Sequence, residues 1–175
     1  MLTDKINAIK AIKAVIPDSA LWGIGGSLML NLKGINSTPK DIDIICDKTC
    51  FSAIKDNFSP FISPITSNGV FCSDRIMSLN LNGVFLDIVC GFKIKTENGI
   101  FSLPLNDNSI SEVIEKNNVC IPLLSLEDWI FIYYFKKDFA KVKLIEYYWK
   151  EHEKNEYLFM KNLQKCKSLK IDFNL

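Results

Sequence analysis

The sequence predicts a mixed α/β core, a mixed β-sheet with flanking helices over residues 1–122, with a C-terminal helical region, residues 123–175, packed on it. Three observations predict it. A short apolar segment, Ala20-Leu21-Trp22-Gly23-Ile24, breaks at Gly25-Gly26 and passes into helical spacing, the strand–turn–helix order of an α/β unit. Two runs, 75–81 and 84–90, flank Asn82-Gly83, a pair suited to the positive φ that a type I′ hairpin turn needs at both central residues. After Pro122 the spacing turns helical and stays so to about residue 168.

Taken in order, Ile6, Ala8, Ile9, Ile12, Val15 and Ile16 recur at helical spacing with Lys5, Lys10 and Lys13 between them. They predict an amphipathic helix over 3–16, capped by Thr3 or Asp4 and ended by Pro17-Asp18. Residues 20–24 read as a buried strand, 27–33 as a helix closed by Gly34, 36–39 as a loop and 41–46 as the second strand. A short helix is expected over 49–57. Two prolines, Gly69 and several serines make 59–73 a loop with room for one short strand. The hairpin across Asn82-Gly83 follows, then a second one pairing 92–95 with 100–103 around Asn98-Gly99. Val119-Cys120-Ile121 is the last expected strand. Ser125-Leu126-Glu127-Asp128 resembles a capping box and opens helical segments near 126–136, 138–150 and 153–167. The aromatic run Trp129–Phe135, with Tyr147-Tyr148-Trp149, reads as helix core rather than a base-stacking platform.

Composition narrows the classes. With 48% hydrophobic and 23% charged residues the chain can bury a sizeable core, which argues against disorder. A net charge of +1 argues against a generic nucleic-acid scaffold. Six cysteines without a C-x-x-C pair, and a single histidine, argue against structural zinc, and most of the thiols read as small core residues. No signal peptide opens the chain and no apolar stretch reaches membrane-spanning length, so a reduced cytoplasmic protein free of the membrane is expected. His152 reads as a surface helix residue. Arg75, the one arginine, reads either as a surface charge or as a phosphate contact near the acidic strands.

The chemistry concentrates in acids on apolar strands. Asp41 and Asp43 sit two positions apart, hence on one face of a strand that is otherwise apolar through Cys46. Asp87 is the only charge within Val84-Phe85-Leu86-Asp87-Ile88-Val89-Cys90. A lone buried carboxylate is costly unless paired or metal-bound. If the two strands are neighbours, the three carboxylates repel one another and raise their own pKa values. One or two magnesium ions would reverse that, because hard cations take oxygen ligands and substrate phosphates complete their coordination. Gly25-Gly26 lets backbone amides approach a phosphate, and Ser27 adds a hydroxyl at the start of the next helix. Phosphoryl chemistry of this kind needs positioning and charge neutralisation more than a protein nucleophile.

The pattern Gly25-Gly26-Ser27, then Pro39-Lys40-Asp41-Ile42-Asp43-Ile44, then Phe85-Leu86-Asp87-Ile88 resembles the nucleotidyltransferase superfamily of the DNA polymerase β type, over roughly residues 20–92 and more weakly to 149. The fourteen-position step from Ser27 to Asp41 is similar to lincosamide and abortive-infection toxin nucleotidyltransferases, which also carry an element like Ile121–Asp128 before a helical region. The resemblance implies that Asp41 and Asp43 bind metals. Asp87 would bind the catalytic metal and deprotonate or orient the attacking hydroxyl. Gly25, Gly26 and Ser27 would hold a nucleoside triphosphate such as ATP, with Lys40, Arg75, Lys136 and Lys137 as further substrate contacts. The implied reaction moves a nucleoside monophosphate to a hydroxyl of a small molecule such as an antibiotic, a tRNA end or a protein side chain, and releases pyrophosphate. A homodimer or an antitoxin-like partner is expected to complete the assembly. Two other readings are a toxin-like member of a two-gene module and a degenerate, non-catalytic nucleotide-binding module. Two departures motivate the last: relatives carry a lysine where Tyr133 stands, and a second acid where Lys141 stands in Lys137-Asp138-Phe139-Ala140-Lys141.

Overall fold

Strands form where the apolar runs lie, and their order brings the acidic positions to the middle of one sheet. The computed structural model describes residues 1–64 and 70–173. Helix α1 (Leu2–Lys13) is followed by β1 (Trp22–Ile24), α2 (Gly26–Leu32), β2 (Ile42–Cys46) and α3 (Lys48–Phe58). The two-residue β3 (Ile62–Ser63) precedes the hairpin of β4 (Arg75–Leu81) and β5 (Val84–Cys90). A second hairpin, β6 (Lys93–Thr96) and β7 (Gly99–Ser102), and a third, β8 (Ile110–Lys116) and β9 (Val119–Leu124), complete the strands. Helices α4 (Leu126–Phe135), α5 (Phe139–Tyr148) and α6 (Glu156–Ser168) form the C-terminal region.

Seven strands make one mixed sheet in the order β3-β4-β5-β2-β1-β9-β8, while β6 and β7 pair by themselves. β2 lies parallel to β5 and antiparallel to β1. Period-two alternation splits the central strands into two faces. Ile42, Ile44 and Cys46, Leu86, Ile88 and Cys90, and Met77 and Leu79 are buried on one face. α1 and α3 lie against β5 there. From the C-terminal region, Trp129 to Tyr133 of α4 join the same hydrophobic core.

Several expectations are corrected. α1 begins at Leu2 with Met1 at its N-cap, so Thr3 and Asp4 fall inside the first turn, where Asp4 Oδ2 accepts from the Met1 amine at 2.8 Å. Lys5, expected among the solvent-facing lysines, is 9% exposed, and its Nζ donates to the Lys40 carbonyl at 2.8 Å. That bond pins the residue just before Asp41. β8 was not anticipated; Ser111, Glu112, Glu115 and Lys116 dilute its apolar signal because it is an edge strand. It turns into β9 through Asn117-Asn118, both at positive φ (52° and 59°). β9 runs to Leu124 through Pro122, so the expected boundary at residue 122 falls within a strand. The ladder of β9 to β1 is confined to Ile24–Leu123, which leaves Pro122 free of that ladder. Residues 65–69 of the expected 59–73 loop, Gly69 among them, lie outside the described residues.

Candidate active site

Register places the carboxylates. β2 and β5 pair in parallel with Asp43 opposite Asp87, and β4 and β5 pair antiparallel with Ser78 opposite Asp87. Directly opposed residues share a face, so Ser78, Asp87 and Asp43 line up across three strands. Ile76, Val89 and Ile45 form the next row of the same face. This is the face turned away from α3, and it floors a cleft of about 510 Å³. The Ser78 hydroxyl donates to Asp87 Oδ1 at 2.6 Å. Asp41 stands one residue before β2 and joins the rim.

The glycine turn closes onto this floor. Gly25 donates its N–H to the Asp43 carbonyl at 2.9 Å. Gly26 has φ +62°, and a Cβ there would run into the Asp43 carboxylate. Glycine is required twice over, for the left-handed backbone and for the space. A Cβ on Gly25 would run into the Trp129 indole, so this residue lets α4 seat against the turn. Gly26 and Ser27 line the cleft.

Electrostatics follows from the convergence. The Asp43 carboxyl sits deep in the floor yet still open to the cleft, and its pKa is pushed up to about 7. Burial is the main cause, the Asp41 charge adds to it, and Lys136 pulls the other way, with smaller contributions from Asp87 and Lys141. Asp41, Asp43, Asp87 and Ser78 form an all-oxygen donor set, and a carboxylate held this far above its usual range is one that a hard cation would return to the charged form. Among the described residues, no three His, Cys, Asp or Glu side chains close into a ready-made cage. A hard cation bound here would take one or two of these carboxylates and complete its shell with water or phosphate oxygens.

Of the ten residues expected at the site, Gly26, Ser27, Lys40, Asp41, Asp43, Asp87 and Lys136 come together around the cleft. Three do not line it. Gly25 is buried under Trp129. Arg75 pairs with Cys90 and shares the face of Met77 and Leu79, where its guanidinium lies 6.0 Å from the centre of the Phe51 ring of α3. The same alternation that aims Ser78 into the cleft aims Arg75 out of it. Lys137 ends α4 in the left-handed conformation (φ +58°) and is exposed beyond the lining.

Sequence reasoning missed Ser37, Thr38 and Ser78 and singled out Tyr133 and Lys141 only as departures from the family pattern; all five line the cleft. Ser78 was within reach of it, since the two-residue loop 82–83 sets Ser78 opposite Asp87. Trp129, Phe71 and Phe92 make an apolar wall, so the aromatic run is core and lining at once. Among the described residues, no helix is long and apolar enough to cross a membrane.

No protein-family model matches this chain, and no curated protein does. Solved structures do. A Thermotoga maritima protein classed provisionally as a nucleotidyltransferase matches with a TM-score of 0.64 and 24% identity, over 86% of this chain and 95% of its own. The crystal structure of ANT(2'')-Ia, in complex with adenylyl-2''-tobramycin, matches with a TM-score of 0.58 and 13% identity, over 93% of this chain and 98% of that one. The solution structure of the same antibiotic-resistance factor matches with a TM-score of 0.53 and 15% identity, over 97% and 86%. The mixed sheet, the glycine turn and the helical C-terminal region are thus assembled in the nucleotidyltransferase fold.

Proposed function

We propose that this protein is a magnesium-dependent nucleotidyltransferase that moves a nucleoside monophosphate from a triphosphate such as ATP to a hydroxyl acceptor. The observation that carries the reading is the opposed pair Asp43 and Asp87 on the cleft floor, with the Gly26 backbone packed against the Asp43 carboxylate. Asp41 and Asp43 supply oxygens to the cation. Magnesium held there would neutralise the charge that builds on the transferred phosphate. The Gly26-Ser27 turn, with Lys40 and Lys136, holds the triphosphate. Asp87 is oriented through Oδ1 by Ser78 and keeps Oδ2 to accept the acceptor hydroxyl's proton. The acceptor oxygen bonds to the α-phosphorus, the α–β anhydride bond breaks, and pyrophosphate leaves. The adenylyl-tobramycin found with ANT(2'')-Ia makes a small polyhydroxylated molecule one reasonable acceptor class; a tRNA end and a protein side chain are the others.

A second reading, nucleotide binding without turnover, is favoured by Tyr133 and Lys141, which stand in the cleft lining where the sequences this chain resembles carry a lysine and a second acid. Thermal stability and pyrophosphate release, measured with each of the four nucleoside triphosphates with and without magnesium, separate the two. A magnesium-dependent shift with pyrophosphate release, both lost in the double variant Asp41→Ala/Asp43→Ala, supports the transferase. A shift without release across all acceptor classes supports the binding module. No shift with any triphosphate would sink both.

A further inference from the structure

Tyr133 is 1% exposed, yet its hydroxyl is, among the described residues, the buried side-chain polar atom without a hydrogen-bond partner. An orphaned buried hydroxyl costs about 1–3 kcal/mol and is rare in folded proteins. The residue lines the cleft beside Gly26, Ser27 and Asp43. Ser27 is close enough to act on the hydroxyl but does not meet it in hydrogen-bond geometry. Burial, and then the Asp43 charge, hold the phenol protonated far above its usual range, so it can only enter the cleft chemistry as a neutral donor.

Lys141 reaches the same place from the next helix. Its Nζ lies 5.0 Å from the centre of the Tyr133 ring and 3.0 Å from Asp138 Oδ2. Stacking and pairing hold the ammonium in the cleft lining. Among the described residues it forms no ion pair with Asp41, Asp43 or Asp87, although its charge is felt at Asp43. A cation that pairs with none of the three acids and an unspent hydroxyl donor thus belong to the lining of one cleft.

We propose that Tyr133 and Lys141 form a two-residue clamp for the polyphosphate of the donor, the lysine supplying charge and the tyrosine hydroxyl a hydrogen bond. The proposal rests on the nucleotide reading above and deepens it by naming groups that hold the leaving phosphates.

The test is calorimetric titration of the whole chain with inorganic tripolyphosphate and magnesium, run beside pyrophosphate release from the four triphosphates. Tyr133→Phe and Lys141→Gln should each weaken tripolyphosphate by about tenfold or more, the range expected for losing a hydrogen bond to a charged group. Lys141→Arg should keep most of the affinity, and Lys116→Gln on β8 should change nothing. Tyr133→Phe should also melt no lower than the parent, because it removes an unsatisfied group, so lost binding cannot be charged to misfolding. Affinity within twofold of the parent in either variant overturns the paired clamp; for Tyr133→Phe it would mean that water alone meets the hydroxyl. A parent that does not bind tripolyphosphate overturns it as well. Clamp residues without effect in a parent that releases pyrophosphate would sink this inference alone. Tripolyphosphate binding lost as expected in both variants, in a protein that transfers no nucleotide, would sink the transferase reading alone.

Discussion

The two faces of the central strands differ sharply, although alternate residues of the same segments build both. Toward α3, Ile42, Ile44, Leu86 and Ile88 are fully buried among one another and against neighbouring helices. Toward the cleft, Asp43, Asp87 and Ser78 stand in a row where folding alone would favour leucine. One face gains stability from each residue; the other gives some up, since a deep carboxyl pushed up to about 7 is an electrostatic cost. Adjacent residues on one strand are therefore expected to respond to substitution in opposite ways, in activity and in stability.

The largest expected effect is on the cleft face. Asp43→Asn keeps the shape and removes the charge, and transfer should fall by about a thousandfold or more, the scale of losing a central electrostatic group. Stability without magnesium should hold or rise. Steady-state pyrophosphate release and a melting curve on the same sample check both halves. A variant that melts well below the parent would break the contrast between the faces.

Next in size is its neighbour across the pleat. Ile44 is fully buried, and Ile44→Ala should cost about 2–5 kcal/mol of stability by leaving a cavity. Urea unfolding reads the loss. At temperatures where the variant is still folded, its affinity for tripolyphosphate should stay near the parent's, which would sharpen the separation of roles.

How much of this was legible in the sequence follows from periodicity. The hairpin 75–90 and the shared face of Asp41 and Asp43 were readable because a strand alternates strictly and Asn82-Gly83 sets the register. The same arithmetic would have excluded Arg75, which pairs with Cys90 and so cannot share a face with Asp87. Lys5 was not readable, since a lysine beside an apolar stripe looks solvated until the Lys40 carbonyl is seen within its reach. β8 was hidden because an edge strand needs few apolar residues. Lys141 stood out in the sequence as a departure, but its place beside Tyr133 was not readable, as that depends on how α5 docks on α4.

A pH series sharpens the comparison further. Asp43 has its folded pKa raised to about 7, so between roughly pH 4 and pH 7 the native state holds a proton that the unfolded chain has released. The contribution of Asp43 to stability in chelator should thus fall as pH rises through that window and level off above it. Asp43→Asn should lose this component, leaving a flatter profile than the parent's. Melting temperatures from pH 4.5 to pH 8 in both proteins check the sign; a parent that gained as much stability with pH as the variant would contradict it.

The smallest effect expected lies one strand away. Ser78 donates to Asp87 Oδ1 at 2.6 Å and fixes which carboxylate oxygen faces the cleft. Ser78→Ala removes one hydrogen bond to a charged group in a half-open site, at a cost of about 1 kcal/mol in stability. It leaves Asp87 in place but free to turn, so transfer should drop by about tenfold, far less than for Asp43→Asn. Ser78→Thr keeps the hydroxyl and should recover most of the rate. If Ser78→Ala matched the parent in rate while losing the same stability, Ser78 would belong with the packing face in its energetics despite pointing into the cleft.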